Sequence, residues 1–199
     1  MPGDAGGGTR EGMSDDDHER WNARYREGAK DHDPSPFLAG LDDRLPRRGR
    51  ALDVAGGAGR HALWLARRGL AATLADVSDV ALAAAARAAA AEGVPLATVQ
   101  VDLEREPLPA GPWDVVTVFY FLQRSLFSAI AGALAPGGFL VVAHPTRSNL
   151  TRHPRPGADH LLADGELPGL VAGLEVVSYD EGWCDSGRHE ARLVARRPA

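Results

Sequence analysis

Residues 51–59 read Ala-Leu-Asp-Val-Ala-Gly-Gly-Ala-Gly, and the order of residue types in this stretch decides the fold. An apolar run carrying one acid, Asp53, passes through Ala55 into a turn built from Gly56, Gly57, Ala58 and Gly59. Arg60-His61-Ala62-Leu63-Trp64-Leu65-Ala66 then continues with helical spacing. Glycine adopts positive φ cheaply and has no Cβ, so such a turn lets a ligand approach bare backbone. The helix that follows offers free N–H groups and the positive end of its dipole. The stretch predicts a strand, a glycine turn and a helix that together cradle a cofactor or nucleotide.

Working outward, strands are predicted at 51–54, 72–76, 98–102, 114–119 and 139–144. Helices alternate with them: one ends near Arg68, one runs over 79–92 with Ser78 as N-cap and Gly93 as stop, and one covers 126–134. Asp-Val-Val-Thr-Val-Phe at 114–119 is the nearly unbroken apolar type of a strand covered on both faces. This alternation predicts an α/β fold, a Rossmann-like doubly wound sheet with right-handed crossovers. The tail departs from it. Runs at 174–179 and 189–195 have no room for a helix between them, so they predict an antiparallel hairpin at the sheet edge.

Upstream, Ser14-Asp15-Asp16-Asp17 reads as a capping box opening a helix that carries Trp21 and Tyr25 four apart and stops at Gly28. Ser35 and Pro36 start a second helix with Phe37, Leu38, Leu41 and Leu45 at helical spacing. Residues 1–13 are Gly-rich and polar, which predicts a disordered tail, with Met13 an alternative start. One domain is expected over 14–199: lid helices at 14–48, a binding core at 49–144, and a substrate loop with the edge hairpin at 145–199.

The 199 residues suffice for a sizeable core, and a net charge of −5 gives no chain-wide basic field for nucleic acid. Lys30 is the only lysine, which leaves little scope for Schiff-base chemistry. One cysteine, Cys184, excludes an intrachain disulfide and a cysteine-built metal site. No apolar run approaches the ~20 residues that span a bilayer, and no signal-peptide apolar region opens the chain. A cytoplasmic enzyme or binding protein is expected, acting on no membrane and requiring no more than a monomer, with a dimer also compatible.

Gly57, Gly59 and Ala62 satisfy G-x-G-x-x-A, and Asp76 follows Gly59 by 17 residues, a pattern that fits a dinucleotide site. Asp53 argues against that fit. An acid beside the turn repels a pyrophosphate and attracts the ammonium of a cofactor that carries an amino acid.

With these motifs in order, 53–59, 74–76, Val101-Asp102-Leu103, 114–119 and 135–142, the chain resembles the class I S-adenosylmethionine-dependent methyltransferases. Within them, Trp21-Asn22-Ala23-Arg24-Tyr25, Gly59-Arg60-His61-Ala62 and 121–127 resemble the tellurite-resistance and thiopurine methyltransferase group. Ala55 departs from the family pattern, standing where its first glycine usually is. The resemblance implies a seven-stranded sheet with a reversed last strand, S-adenosyl-L-methionine as cofactor, and a small molecule as methyl acceptor.

It also implies roles. Asp76, followed by Val77, would accept both ribose hydroxyls; the plain alternative is a turn or capping acid. Asp102 would contact the adenine amino group with the Leu103 backbone nearby, or be a solvated loop acid. Ala55, Gly56, Gly57, Gly59 and Arg60 would bind the cofactor as the glycine loop, and Asp53 would hold its ammonium, directly or through water, or order that loop's N–H groups. Trp21, Arg24 and Tyr25 read as a lid over the cofactor, or as ordinary helix packing. Phe119 and Tyr120, ending the fourth strand, border the reacting methyl, with plain core packing the alternative for Phe119. Arg124 is placed at the acceptor pocket. His144 is placed on the cleft rim as the first choice if a general base is used, with Tyr120 a second catalytic candidate. His61 reads as structural. His153, Asp159 and His160 sit in a Pro-rich loop without metal-ligand spacing, so no metal is expected. The competing functions are an NAD(P)-binding oxidoreductase and a cofactor-binding protein without turnover.

Overall fold

The computed structural model describes residues 12–28 and 33–199, with side chains from residue 17 onward; the expected disordered tail, as far as residue 11, lies outside what it describes, and Ser14, expected to open the first helix, falls inside a helix that already begins at Gly12. Helix α1 (Gly12–Arg26) leads into a short α2 (Pro36–Ala39), and then strands and helices alternate. They are β1 (Arg50–Val54), α3 (Arg60–Arg67), β2 (Ala71–Asp76), α4 (Asp79–Glu92), β3 (Leu96–Gln100) and β4 (Trp113–Phe119). After them come α5 (Leu126–Ala133), β5 (Leu134–Pro145), α6 (Leu167–Leu170), β6 (Glu175–Trp183) and β7 (His189–Arg196).

All seven strands form one sheet in the order β3-β2-β1-β4-β5-β7-β6. β7 alone runs against its neighbours: it pairs antiparallel with both β5 and β6, inserted between them by the hairpin. Strand order reverses between β1 and β4, which pair in parallel from Ala51–Val115 to Val54–Val118. In an open α/β sheet a ligand crevice forms at that reversal, beyond the carboxyl ends of the strands.

Local chemistry explains most boundaries. The Ser78 hydroxyl accepts the Ala81 N–H at 3.1 Å to start α4, and Gly93, at φ 68°, ends it in the left-handed region. β4 is covered on both faces, so Val115, Val116 and Val118 are buried. Its Trp113 is fully buried too, with the indole N–H donating to the Pro109 carbonyl at 3.1 Å.

Four expected boundaries are corrected. β3 ends at Gln100, so Asp102 lies beyond the strand. The second helix is regular only over Pro36–Ala39; Gly40 follows and the chain continues to Leu45 in successive turns that still bury Leu38, Leu41 and Leu45. β5 begins at Leu134, because Leu134 pairs with Trp113 ahead of the Pro-Gly-Gly turn and the ladder resumes at Phe139. β6 extends to Trp183, so the hairpin connection is shorter than the 180–187 stretch.

Candidate functional site

The glycine turn sits at the reversal point, and two buried acids hold it. Asp53, one residue before the end of β1, has 1% of its surface exposed. Its Oδ2 accepts the Ala62 N–H at 3.1 Å and its Oδ1 accepts the Thr117 hydroxyl at 2.7 Å. The N-cap of α3 is Gly59, which has no side chain to offer, so a carboxylate from the neighbouring strand satisfies an orphan N–H of the first turn. Burial raises the Asp53 pKa to about 7; the Thr117 and Ala62 hydrogen bonds oppose that shift.

Asp76, at the end of β2, is buried as well. Its Oδ2 accepts the Gly57 N–H at 2.7 Å and its Oδ1 accepts the Ser78 N–H at 2.9 Å. Burial raises its pKa and these backbone hydrogen bonds lower it. One carboxylate thus ties the turn after β1 to the turn after β2, and each oxygen keeps lone pairs for a further donor.

The turn has no room for larger residues. A Cβ on Gly56 would collide with the Asp53 carboxylate and Leu74, and one on Gly57, at φ 58°, would collide with the Tyr25 hydroxyl. Ala55 takes φ 50° without being glycine, so the chain turns in the left-handed region one residue ahead of Gly56.

Helix α1 is brought here by Asn22, which sequence reasoning missed. The Ser78 hydroxyl donates to Asn22 Oδ1 at 2.6 Å, and Asn22 Nδ2 donates to Asp79 Oδ1 at 2.7 Å. Next to this buried amide, Trp21 and Tyr25 stack with ring centroids 6.2 Å apart, and the Arg24 guanidinium lies 5.2 Å from the Trp21 ring. Burial, with Asp76 and Asp53 nearby, pushes the Tyr25 hydroxyl up to about 12. The structure therefore brings Tyr25, Gly57, Asp53, Asp76 and Arg60 together. Val77 is half-buried, its carbonyl accepting Gln100 Nε2 at 3.3 Å.

The remaining expected residues have settings of their own. Asp102 serves its own turn: Oδ1 accepts the Glu104 N–H at 3.1 Å, while the Leu103 side chain is buried in the core. Phe119 is 6% exposed and packs on His61, with centroids 4.1 Å apart. Tyr120, at φ 61° and 37% exposed, is the aromatic that reaches the surface of the crevice. Its hydroxyl donates to Glu190 Oε1 at 3.0 Å. Arg124, expected at the acceptor pocket, is committed elsewhere. It grips Glu166 through Nε at 2.5 Å and Nη2 at 2.9 Å, and donates to the Leu161 carbonyl, so it braces the loop after β5.

His144, expected on the rim, is 5% exposed instead. Its Nε2 lies 2.9 Å from the His160 carbonyl and must donate to it, which leaves the lone pair on Nδ1, buried without a hydrogen-bond partner. Burial lowers its pKa, so the ring is neutral at neutral pH. His61 is buried and structural: its Nε2 accepts the Ser35 N–H at 3.3 Å, and burial lowers its pKa to about 3. At 4.0 Å from Asp53 this neutral ring forms no ion pair. Among the described residues Asp164, Glu181 and His189 are close enough to suit a metal ion, but hydrogen bonds to Ser148, the Gly165 N–H and Thr146 already engage all three.

Thr117 and Glu190 also escaped sequence reasoning. Thr117 is the one polar residue within the run 115–119, a signal that was there to be read; Glu190 carried none. Between α1 and the loop of residues 154–160 lies a cleft of about 750 Å³, reached by Arg20, Trp21, Arg24, Arg155 and His160.

Residues 51–138, the stretch that holds the glycine turn, both acids and β4, match the family model described as a methyltransferase domain. The whole fold agrees. The magnesium protoporphyrin IX methyltransferase of Synechocystis, solved with bound S-adenosylhomocysteine, superposes with a TM-score of 0.71 at 15% identity, over 92% of this chain and 99% of its own. A TehB-like S-adenosylmethionine-dependent methyltransferase from Corynebacterium glutamicum gives 0.63 at 18% identity, over 94% and 100%. TehB from Haemophilus influenzae gives 0.70 at 17%, over 89% and 67%. No curated protein matches this chain in sequence. Among the described residues no helix is long and apolar enough to cross a membrane.

Proposed function

We propose that this protein is an S-adenosyl-L-methionine-dependent methyltransferase acting on a small molecule. The observation that carries this reading is the pair of buried acids around the glycine turn. Asp53 occupies the first-turn N–H of α3 that a pyrophosphate would need, so the crevice disfavours an anionic dinucleotide linkage and suits a cationic ammonium. Asp76 keeps acceptor capacity for two ribose hydroxyls while its inner lone pairs hold the backbone. Tyr25, Trp21 and Arg24 close over this end of the crevice from α1, and the Asp102–Leu103 turn is read as the adenine end.

When bound, S-adenosylmethionine supplies an activated methyl group on a sulfonium. The chain's own work is positioning. Holding the acceptor in line at roughly 3–3.5 Å is worth ~7–11 kcal/mol of barrier. Tyr120 borders the place where an acceptor would lie, and α1 excludes water from above. His144 is not required by this reading: a soft anion or thiolate needs no base. The reading involves neither nucleic acid nor membrane and takes the monomer in a cytoplasmic setting.

Calorimetric titration with S-adenosylhomocysteine tests it. Micromolar-range binding is expected, weakened at least tenfold in Asp76→Ala. Unchanged affinity in that variant rejects the ribose contact, and binding of a pyridine dinucleotide in place of S-adenosylhomocysteine rejects the function.

A further inference from the structure

The crevice beyond Tyr120 is cationic although the chain carries a net charge of −5. The Arg188 guanidinium lies 5.1 Å from the Tyr120 ring centroid, and that of Arg60 lies 6.0 Å from it. Glu190 stands beside the same ring. It is buried, it accepts the Tyr120 hydroxyl at 3.0 Å, and its other oxygen lies 3.4 Å from Arg192 Nε. Arg188 belongs to the turn between β6 and β7, which is fastened to the Pro-rich loop by His153 Nε2 donating to the Gly187 carbonyl at 2.8 Å. That loop lines the cleft against α1 with Arg155 and His160, facing Arg20 and Arg24. His160 links the cleft to the sheet, since its carbonyl accepts His144 Nε2. Among the described residues no carboxylate lines the cleft, and neither Arg155 nor Arg188 forms an ion pair. Arg20 pairs with Asp17 at 2.5 Å.

Cations gathered in one crevice repel each other and focus the field for an anion. A cleft of about 750 Å³ is the size that receives an organic molecule and is too large for a bare oxyanion to fill. The Trp21 ring, which lines the cleft, supplies a face for its carbon frame.

We infer, resting on the methyltransferase reading above, that the methyl acceptor is an organic anion. Its carboxylate or phosphate is held by Arg188 beside Tyr120, and Arg155 guides it in at the cleft mouth. Arg24 is left to the cofactor end. Arginine matches both anions through paired N–H donors, so the two chemistries share one site.

The test titrates benzoate, phenyl phosphate and benzamide calorimetrically into the full chain saturated with S-adenosylhomocysteine, then repeats this with Arg188→Gln and Arg155→Gln. Benzamide has the ring of benzoate without its charge. At least one anion is expected to bind about tenfold or more tightly than benzamide, and Arg188→Gln to remove about that factor while affinity for S-adenosylhomocysteine holds. The tighter of the two anions identifies the group. Benzamide binding as well as the anions, no binding by either anion, or an Arg188→Gln protein that binds them unchanged overturns the inference. Failure of the first titration, with S-adenosylhomocysteine alone, overturns the underlying function instead and is read before any acceptor is added.

Discussion

The Ser78 hydroxyl donates to Asn22 Oδ1 at 2.6 Å, joining the residue that caps α4 to the middle of α1. Asn22 also reaches Asp79 and, at 3.4 Å, the Val80 N–H, so one buried amide seats the helix that carries Trp21, Arg24 and Tyr25. Replacing it by alanine leaves Ser78 with a lost acceptor in a dry site, a cost of about 1–3 kcal/mol. Asn22→Ala is expected to lower the urea midpoint accordingly and to weaken binding of S-adenosylhomocysteine, because α1 is no longer held over the turn. Stability falling with affinity unchanged would show that α1 is not a lid.

The Asp53 carboxyl titrates near 3.8 when unfolded and about 7 when folded. The folded state holds this proton more tightly, so the group's contribution to stability is complete below the unfolded pKa and is lost as pH rises through the folded one. Stability of the ligand-free protein should decline from pH 4 to 7 on this account, and Asp53→Asn should flatten the slope in chemical denaturation. An ammonium beside Asp53 favours the ionised form, so affinity for S-adenosylhomocysteine should rise from pH 5.5 to 8, approaching tenfold per pH unit at the acid end. A flat profile would leave Asp53 the role of ordering the loop alone.

Gly57 and Tyr25 form a testable pair. A methyl group on Gly57 meets the Tyr25 hydroxyl and demands an unfavourable φ of 58°. Gly57→Ala is expected to cost about 1–3 kcal/mol in stability and at least tenfold in cofactor affinity. Tyr25→Phe in the same background removes the colliding oxygen and should recover part of the loss. A double-mutant cycle reads the coupling, and strict additivity would deny the contact.

Arg124 braces a loop. Its bidentate pair with Glu166 is partly exposed, so Arg124→Gln should cost about 0.2–1 kcal/mol in thermal denaturation. Affinity for S-adenosylhomocysteine should not change. Glu166→Gln should reproduce the stability loss, and a large change in acceptor KM without one would return Arg124 to the pocket.

Much of the molecule was legible along the chain because its signals are local. The glycines of 56–59, the Ser78 cap with Gly93 as its partner stop, and the apolar run at 114–119 each express free energies decided within a few residues. They determined the alternation of strands and helices, the place of the turn beside Asp53 and Asp76, and the terminal hairpin. What each side chain does once there was decided by partners far away in sequence. Asn22 meets Ser78 across 56 residues, Tyr120 meets Glu190 across 70, and Arg124 meets Glu166 across 42. Arg124 is tied to Glu166 and the Leu161 carbonyl, and His144 is buried against the His160 carbonyl, because acceptors distant in sequence outweighed their local setting. Only the packed sheet brings those segments together, and a hydrogen bond or an ion pair is settled by where its second member lies.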